Sequence, residues 1–185
     1  MSNYKTILDK DDIVLKKKDN TFKLEANKNI KIPSKILDMI ESMEIYNLFK
    51  VLNPKLITKS KIMDASTSNP QILLCLKNFM ENDEDQEENS NSEENFYISF
   101  TNTIKEKDNS SITLEGKRNN LSIEKDGWKK LEIDDITFSA KLSGSELSIK
   151  LKFTYIGEKM PVYAENAIGL VFRKFVKNLM EYLSK

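Results

Sequence analysis

The stretch ITFSAKLSGSELSIKLKFTY, residues 136–155, decides the architecture. Ile136, Phe138, Ala140 and Leu142 alternate with polar residues, Ser143-Gly144-Ser145 interrupts, and Leu147, Ile149, Leu151, Phe153 and Tyr155 resume the same phase. Successive strand side chains point to opposite faces, so this period of two puts every apolar residue on one side of an antiparallel hairpin. Gly157 and Pro161 then end strand character. From Ala164 to Leu183 the period changes: Ile168, Val171, Phe172, Phe175, Val176, Leu179, Met180 and Leu183 make one helical stripe, with Arg173, Lys174, Lys177, Asn178 and Glu181 expected on the solvent side. A helix of about 20 residues is roughly 30 Å long and can cross a small sheet.

Working outward toward the N-terminus, Phe22, Leu24, Ala26, Ile30 and Ile32 alternate with polar residues and define a half-buried strand, with Ile13 to Leu15 as a candidate partner. Pro33-Ser34 signals a helix start, and Asn53-Pro54 forces its end. Between them Ile36, Met39, Ile40 and Met43 form one apolar face and Tyr46, Phe49 and Leu52 a second, which predicts one kinked helix or two short ones. Strand signals follow for about a hundred residues: Leu56 to Met63, Gln71 to Met80, then Phe96, Ile98, Phe100 and Ile104, then Ile112 and Leu114, then Leu121 and Ile123. The turn Lys125-Asp126-Gly127 precedes Trp128, expected as a partly buried cap on the sheet.

The chain of 185 residues is expected to be a single domain, with residues 1–20 an N-terminal extension or extra strand. Its 39% apolar and 31% charged content suits a globular protein. The longest purely apolar run, Ile72 to Leu76, is far too short for a transmembrane segment. Met1 to Asp12 shows no apolar core of a secretory signal, and Cys75 has no second cysteine to pair with, so a cytoplasmic location is expected. The 29 basic and 29 acidic residues cancel, but Glu81 to Glu94 holds eight acids and no Lys or Arg; removing those eight leaves 21 acids against 29 bases. Repulsion and the lack of apolar residues predict a flexible acidic loop over 81–95 and a basic body. Lys16, Lys17 and Lys18 are the densest basic cluster. Arginine is scarce, so nucleic-acid binding is not expected, whereas peripheral contact with an anionic membrane suits scattered lysines.

The order of elements is strand, short helix or helix pair, about six more antiparallel strands, then one long amphipathic helix. A sheet with one apolar face must cover it or curl, and a single long helix laid across a curved sheet does both. The predicted class is α+β: a curved antiparallel sheet of six to seven strands gripping a C-terminal helix. In this order, carried by the strand Phe22 to Ile32, the start at Pro33-Ser34, the exit at Asn53-Pro54 and the passage Phe153 to Leu183, the chain resembles the helix-grip superfamily of START lipid-transfer domains, major pollen allergens and SRPBCC proteins. That resemblance implies a cavity between sheet and helix. The expected ligand-binding residues are Phe96, Ile98, Phe100, Phe138, Ile149, Leu151 and Phe153 from strands and Ile168, Phe172, Phe175 and Leu179 from the helix, with Leu147 and Val176 beside them. For any one of them plain core is the commoner role, because large apolar residues are usually inside whatever the function.

Histidine is absent, which removes Ser-His-Asp and Cys-His catalysis and histidine metal sites. Asp134-Asp135 is expected as a turn rather than a catalytic pair, and Cys75 as a buried, inert thiol. With five glycines there is no phosphate-cradling or dinucleotide motif. No metal site, cofactor or enzyme activity is expected. Two functions fit: non-enzymatic binding of an apolar or amphipathic small molecule, a lipid or fatty acid, in a cavity beneath the last helix; or a protein-interaction module with a filled core, like the co-chaperone branch that activates Hsp90. Tyr155 and Tyr163 flank the strand-to-helix passage, where a hydroxyl can meet a ligand head group or a backbone carbonyl.

Overall fold

The computed structural model describes residues 3–31, 33–79, 95–124, 126–157 and 162–185; the acidic segment expected as a loop falls outside them except for Asn95. The elements run β1 (Lys5–Lys10), β2 (Ile13–Lys18), β3 (Thr21–Asn29), α1 (Pro33–Glu41), α2 (Glu44–Leu52), β4 (Ile57–Met63), β5 (Gln71–Leu76), β6 (Asn95–Lys107), β7 (Ser111–Arg118), β8 (Trp128–Lys130), β9 (Ile133–Ser143), β10 (Glu146–Tyr155) and α3 (Val162–Leu183). Among the described residues the ten strands form one sheet in the order β1-β2-β3-β10-β9-β7-β6-β5-β4, with β8 attached to β6. Every pairing is antiparallel except β8 on β6. The first and last thirds of the chain meet at the β3-β10 pair, Phe22 lying opposite Phe153 and Ala26 opposite Ile149.

This is the curved sheet and gripping helix the periodicity predicts, widened beyond six or seven strands. Residues 5–18 account for part of the difference, adding β1 and β2 as a hairpin beside β3. Its two-residue turn, Asp11-Asp12, has both residues in the left-handed region (φ 60 and 58), the conformation that matches strand twist and that aspartate tolerates better than most residues. The hairpin at 136–155 turns through Gly144, whose φ of 62 suits a residue without Cβ. Asp134 and Asp135 do not form a turn: they lie within β9, where the β9-β10 register shifts and Asp135 (φ 48) marks a bulge.

Of the two alternatives for residues 33–52, the chain takes the pair of helices. Met43, buried and left-handed at φ 63, separates α1 from α2. Residues 121–123 form no strand. Leu121 and Ile123 instead pack with Met63 and Trp128 over Leu73, Cys75 and Tyr97, so β5 and β6 are buried on both faces and Trp128 is half-buried in that second cluster. No helix of the described residues is long and apolar enough to cross a membrane.

α3 is held along its whole length by polar contacts that apolar periodicity does not reveal. Lys17 pairs with Glu165 near its first turn. Arg173, expected toward solvent, is only 8% exposed: its Nη2 donates to the Lys10 carbonyl at 2.6 Å and to Asp11 at 3.2 Å. Lys177 reaches Asp11 at 2.9 Å. Asn178 Nδ2 donates to Asn53 Oδ1 at 2.7 Å, while Asn53 Nδ2 donates to the Phe49 carbonyl at 2.8 Å, joining α3 to the end of α2. The Leu183 carbonyl accepts from the Lys31 backbone N–H at 2.9 Å.

Lys177 and Arg173 hold the Asp11 carboxyl below its ordinary value. A depressed folded-state pKa contributes stability above the unfolded value, near 3.9, and that contribution is lost as pH falls through the folded value. The melting-temperature gap between the parent and Asp11→Asn is therefore expected to be largest near neutrality and to close as pH drops below about 4. A gap independent of pH across that range would show that the latch does not depend on the Asp11 charge.

Candidate functional site

Three layers of apolar side chains converge beneath α3. From α2 come Tyr46 and Phe49; from the sheet come Leu74 on β5, Ile98 and Phe100 on β6, Ile136 and Phe138 on β9, and Leu151 on β10; from α3 come Phe172, Phe175 and Val176. They surround a void between the helices and the inner sheet face. Its room for water-sized centres is about 30 Å³. A water needs about 10–15 Å³ measured this way, whereas pockets for drug-sized ligands run to about 300–1,000 Å³, so the chamber is nearly closed by its own walls.

The walls are a chain of touching rings. Tyr46 meets Phe49 and Phe100 edge-on at 6.3 and 5.7 Å, Phe49 stacks with Phe175 at 5.9 Å, and Phe175 meets Phe172 at 5.9 Å. Phe172 packs on Phe153 at 4.2 Å, and Phe153 stacks with Phe22 at 5.1 Å. Such pairs stabilise beyond their buried area, by about 0.5–1.5 kcal/mol each.

Of the residues expected to contact a ligand, Ile98, Phe100, Phe138, Leu151, Phe172 and Phe175 border the void, as does Val176. Phe96, Ile149, Phe153, Ile168 and Leu179 are buried in the same core without bordering the void, as is Leu147. Phe96 packs on Phe79 at 5.3 Å. Tyr46, Phe49, Leu74 and Ile136 border the void without having been assigned to it by sequence. Tyr46 and Phe49 were visible as the second apolar face of α2; Leu74 sat in a run without alternation, which hides its inward direction.

Among the described residues, Tyr46 is the one polar side chain of the lining. Its Oη accepts from Asn102 Nδ2 at 2.9 Å, and the same Nδ2 lies 3.2 Å from Met43 Sδ. Burial drives the Tyr46 pKa far up, against the smaller opposite effect of the Asn102 bond, so the hydroxyl stays neutral. Among the described residues the lining thus presents a hydroxyl and no charged side chain, a surface suited to apolar matter and costly for an ionised group. Tyr163 is exposed at the start of α3, and Tyr155 folds its hydroxyl over Gly157, where an added Cβ would fall 1.8 Å from Oη.

Similarity to solved structures identifies the fold as helix-grip, the class containing START domains. The fragment 25–204 of a STAR-related lipid transfer protein from Xanthomonas axonopodis matches with a TM-score of 0.67 at 12% identity, covering 100% of both chains. Human StAR-related lipid transfer protein 5 matches with 0.68 at 9% identity, over 97% of this chain and 86% of that one. The human StarD13 (DLC2) lipid transfer and protein localization domain matches with 0.66 at 12% identity, over 99% and 90%. No family model and no curated protein matches the sequence.

Proposed function

We propose that the protein is a non-enzymatic binder of an apolar or amphipathic small molecule, a lipid or fatty acid, held between α3 and the inner face of the sheet. The observation that carries this reading is the chamber wall: ten apolar side chains and one neutral hydroxyl, contributed by α2, α3 and four strands at the place where the helix bridges the sheet. The shared fold with proteins described as lipid-transfer proteins supports it. Because the free room is about 30 Å³, a ligand must displace the rings of Phe172, Phe175 and Phe49 and bind by expanding the chamber. An ionised head group stays outside the lining or enters protonated, since among the described residues no cation faces the void.

The same small volume favours a second reading, a protein-interaction module whose core is filled. Native mass spectrometry after mild purification, followed by incubation with oleate and with cholesterol, separates the two. A carrier retains or gains a lipid mass; a module shows the bare chain under every condition. Phe172→Glu puts a carboxylate into the wall and is expected to abolish uptake, and unchanged uptake in a folded variant would remove the chamber as the binding place.

A further inference from the structure

The register of the sheet places charges on its outer face in an arrangement that costs stability. Lys16 on β2 lies directly opposite Lys23 on β3, and Lys23 directly opposite Lys152 on β10. Neighbouring strands are about 4.8 Å apart, so three ammonium-bearing residues stand in one row about 10 Å long, and like charges directly opposite repel. In the next row Glu25 faces Lys150. The compensation is partial. Lys16 pairs with Glu25 at 3.8 Å, and Lys23 Nζ lies over the Tyr4 ring at 4.2 Å. Lys150 and Lys152 are exposed and make no ion pair or hydrogen bond among the described residues.

This row borders a groove on the face opposite the chamber. Its side-chain walls are Lys23, Glu25, Lys150 and Lys152, with the hydroxyls of Thr137 and Ser139 from β9 on the far side; its room is about 350 Å³. Ser139 Oγ lies 3.0 Å from Thr113 Oγ1, and the Thr137 hydroxyl has no partner among the described residues. Three lysines against one glutamate, which Lys16 already pairs, leave an excess of positive charge in the groove, and ammonium and hydroxyl donors line it from three strands. A carboxylate has two oxygens to accept them; a phosphate has three terminal oxygens and more charge. Readers of single-stranded nucleic acid need open aromatic platforms, and the ring beside this row, Tyr4, is covered by Lys23. A flat bilayer surface would meet the tips of Lys150 and Lys152 but not the hydroxyls within the groove.

We infer that this outer groove binds a soluble, multiply charged phosphate, a phosphomonoester or oligophosphate, at a site separate from the chamber. Lys150 and Lys152 supply the unpaired charge, Lys23 the third ammonium, and Thr137 and Ser139 the neutral donors. Binding relieves the repulsion along the row, so the site is weakly occupied at high salt and filled at low salt.

The test is isothermal titration of the full chain with inorganic pyrophosphate and tripolyphosphate. The expected dissociation constant is on the order of 0.1–1 mM in about 50 mM salt, rising at least about tenfold in about 500 mM salt. The double variant Lys150→Gln/Lys152→Gln is expected to lose about tenfold or more in affinity while Lys174→Gln, on the exposed side of α3, binds like the parent. Because Lys152 faces Lys23, its neutralisation leaves the melting temperature unchanged or raised, which separates loss of the site from loss of the fold. Absence of binding to either phosphate, or equal binding by the double variant, overturns the inference. So does binding only to vesicles of phosphatidylserine and phosphatidylcholine, which would make this face a membrane contact. None of these results depends on whether the chamber takes up lipid.

Discussion

Phe153→Ala is expected to lower the unfolding free energy by about 3–5 kcal/mol, the range for deleting a large ring from a core. Phe153 has 0% exposure and sits between Phe22, stacked at 5.1 Å, and Phe172, packed at 4.2 Å. It therefore joins the β3-β10 pair, where the two ends of the chain meet, to the middle of α3. Removing it takes the contact surface from both neighbouring rings at once, and neither can swing fully into the gap because each is held by further contacts. Against a total stability of about 5–15 kcal/mol this is a large share. Urea titration followed by Trp128 fluorescence should show the midpoint falling with the slope preserved. For comparison, Tyr182→Ala on the exposed side of α3, where Tyr182 is 50% exposed, should stay within about 0.5 kcal/mol. A loss at Phe153 as small as that would mean α3 is not seated through this ring.

The second large effect is a reversal of helix propensity. Glycine inside a helix is worse than alanine or leucine by about 1 kcal/mol, so Gly169→Leu considered locally should stabilise α3. Gly169, however, lies against the sheet: a Cβ there would come within 2.7 Å of the Phe22 ring and 3.2 Å of Leu15 Cδ2. Phe22 cannot retreat, because it is stacked on Phe153. The expected result is a net destabilisation of about 3 kcal/mol, at the upper end of the cost of overpacking, with Gly169→Ala showing a smaller loss of the same sign. A stabilised variant in thermal unfolding would show that α3 does not approach β2 and β3 so closely.

These two sites show how unevenly the fold was legible. The hairpin at 136–155 could be read directly because each strand buries one face, so burial and sequence share a period of two. β5, QILLCL, is buried on both faces by its neighbours on either side and carries no period, which is why its inward residue Leu74 could not be told from its outward neighbours. Within residues 1–20, expected as an extension or extra strand, the bounds of β1 are hidden for a third reason: the register slips between Thr6 and Leu8, and Ile7 and Leu8, adjacent in sequence, both pack on the core. A bulge erases alternation at the point where a short edge strand has little else to show.

Six of the eleven residues expected around a ligand border the void, and the other five are buried elsewhere in the core. Periodicity distinguishes inward from outward, but distance from a particular void is a matter of how far α3 lies from each strand. The polar latches of α3 were equally hidden. Arg173 and Asn178 read as solvent-facing, yet Asp11 and Asn53, more than a hundred residues earlier in the chain, are brought to them by the closing of the sheet.

The sequence by itself determined the class of architecture, because the change from period two to helical spacing near residue 160 obliges a one-sided sheet to be covered by the helix that follows it. It also determined the chemistry that can be excluded, since a chain without histidine has no imidazole to offer whatever its shape. Only the tertiary structure decided how much room remains beneath α3 and which charges face one another across the outer strands. Both are sums over side chains remote in sequence, and the space left between packed surfaces has no local signature.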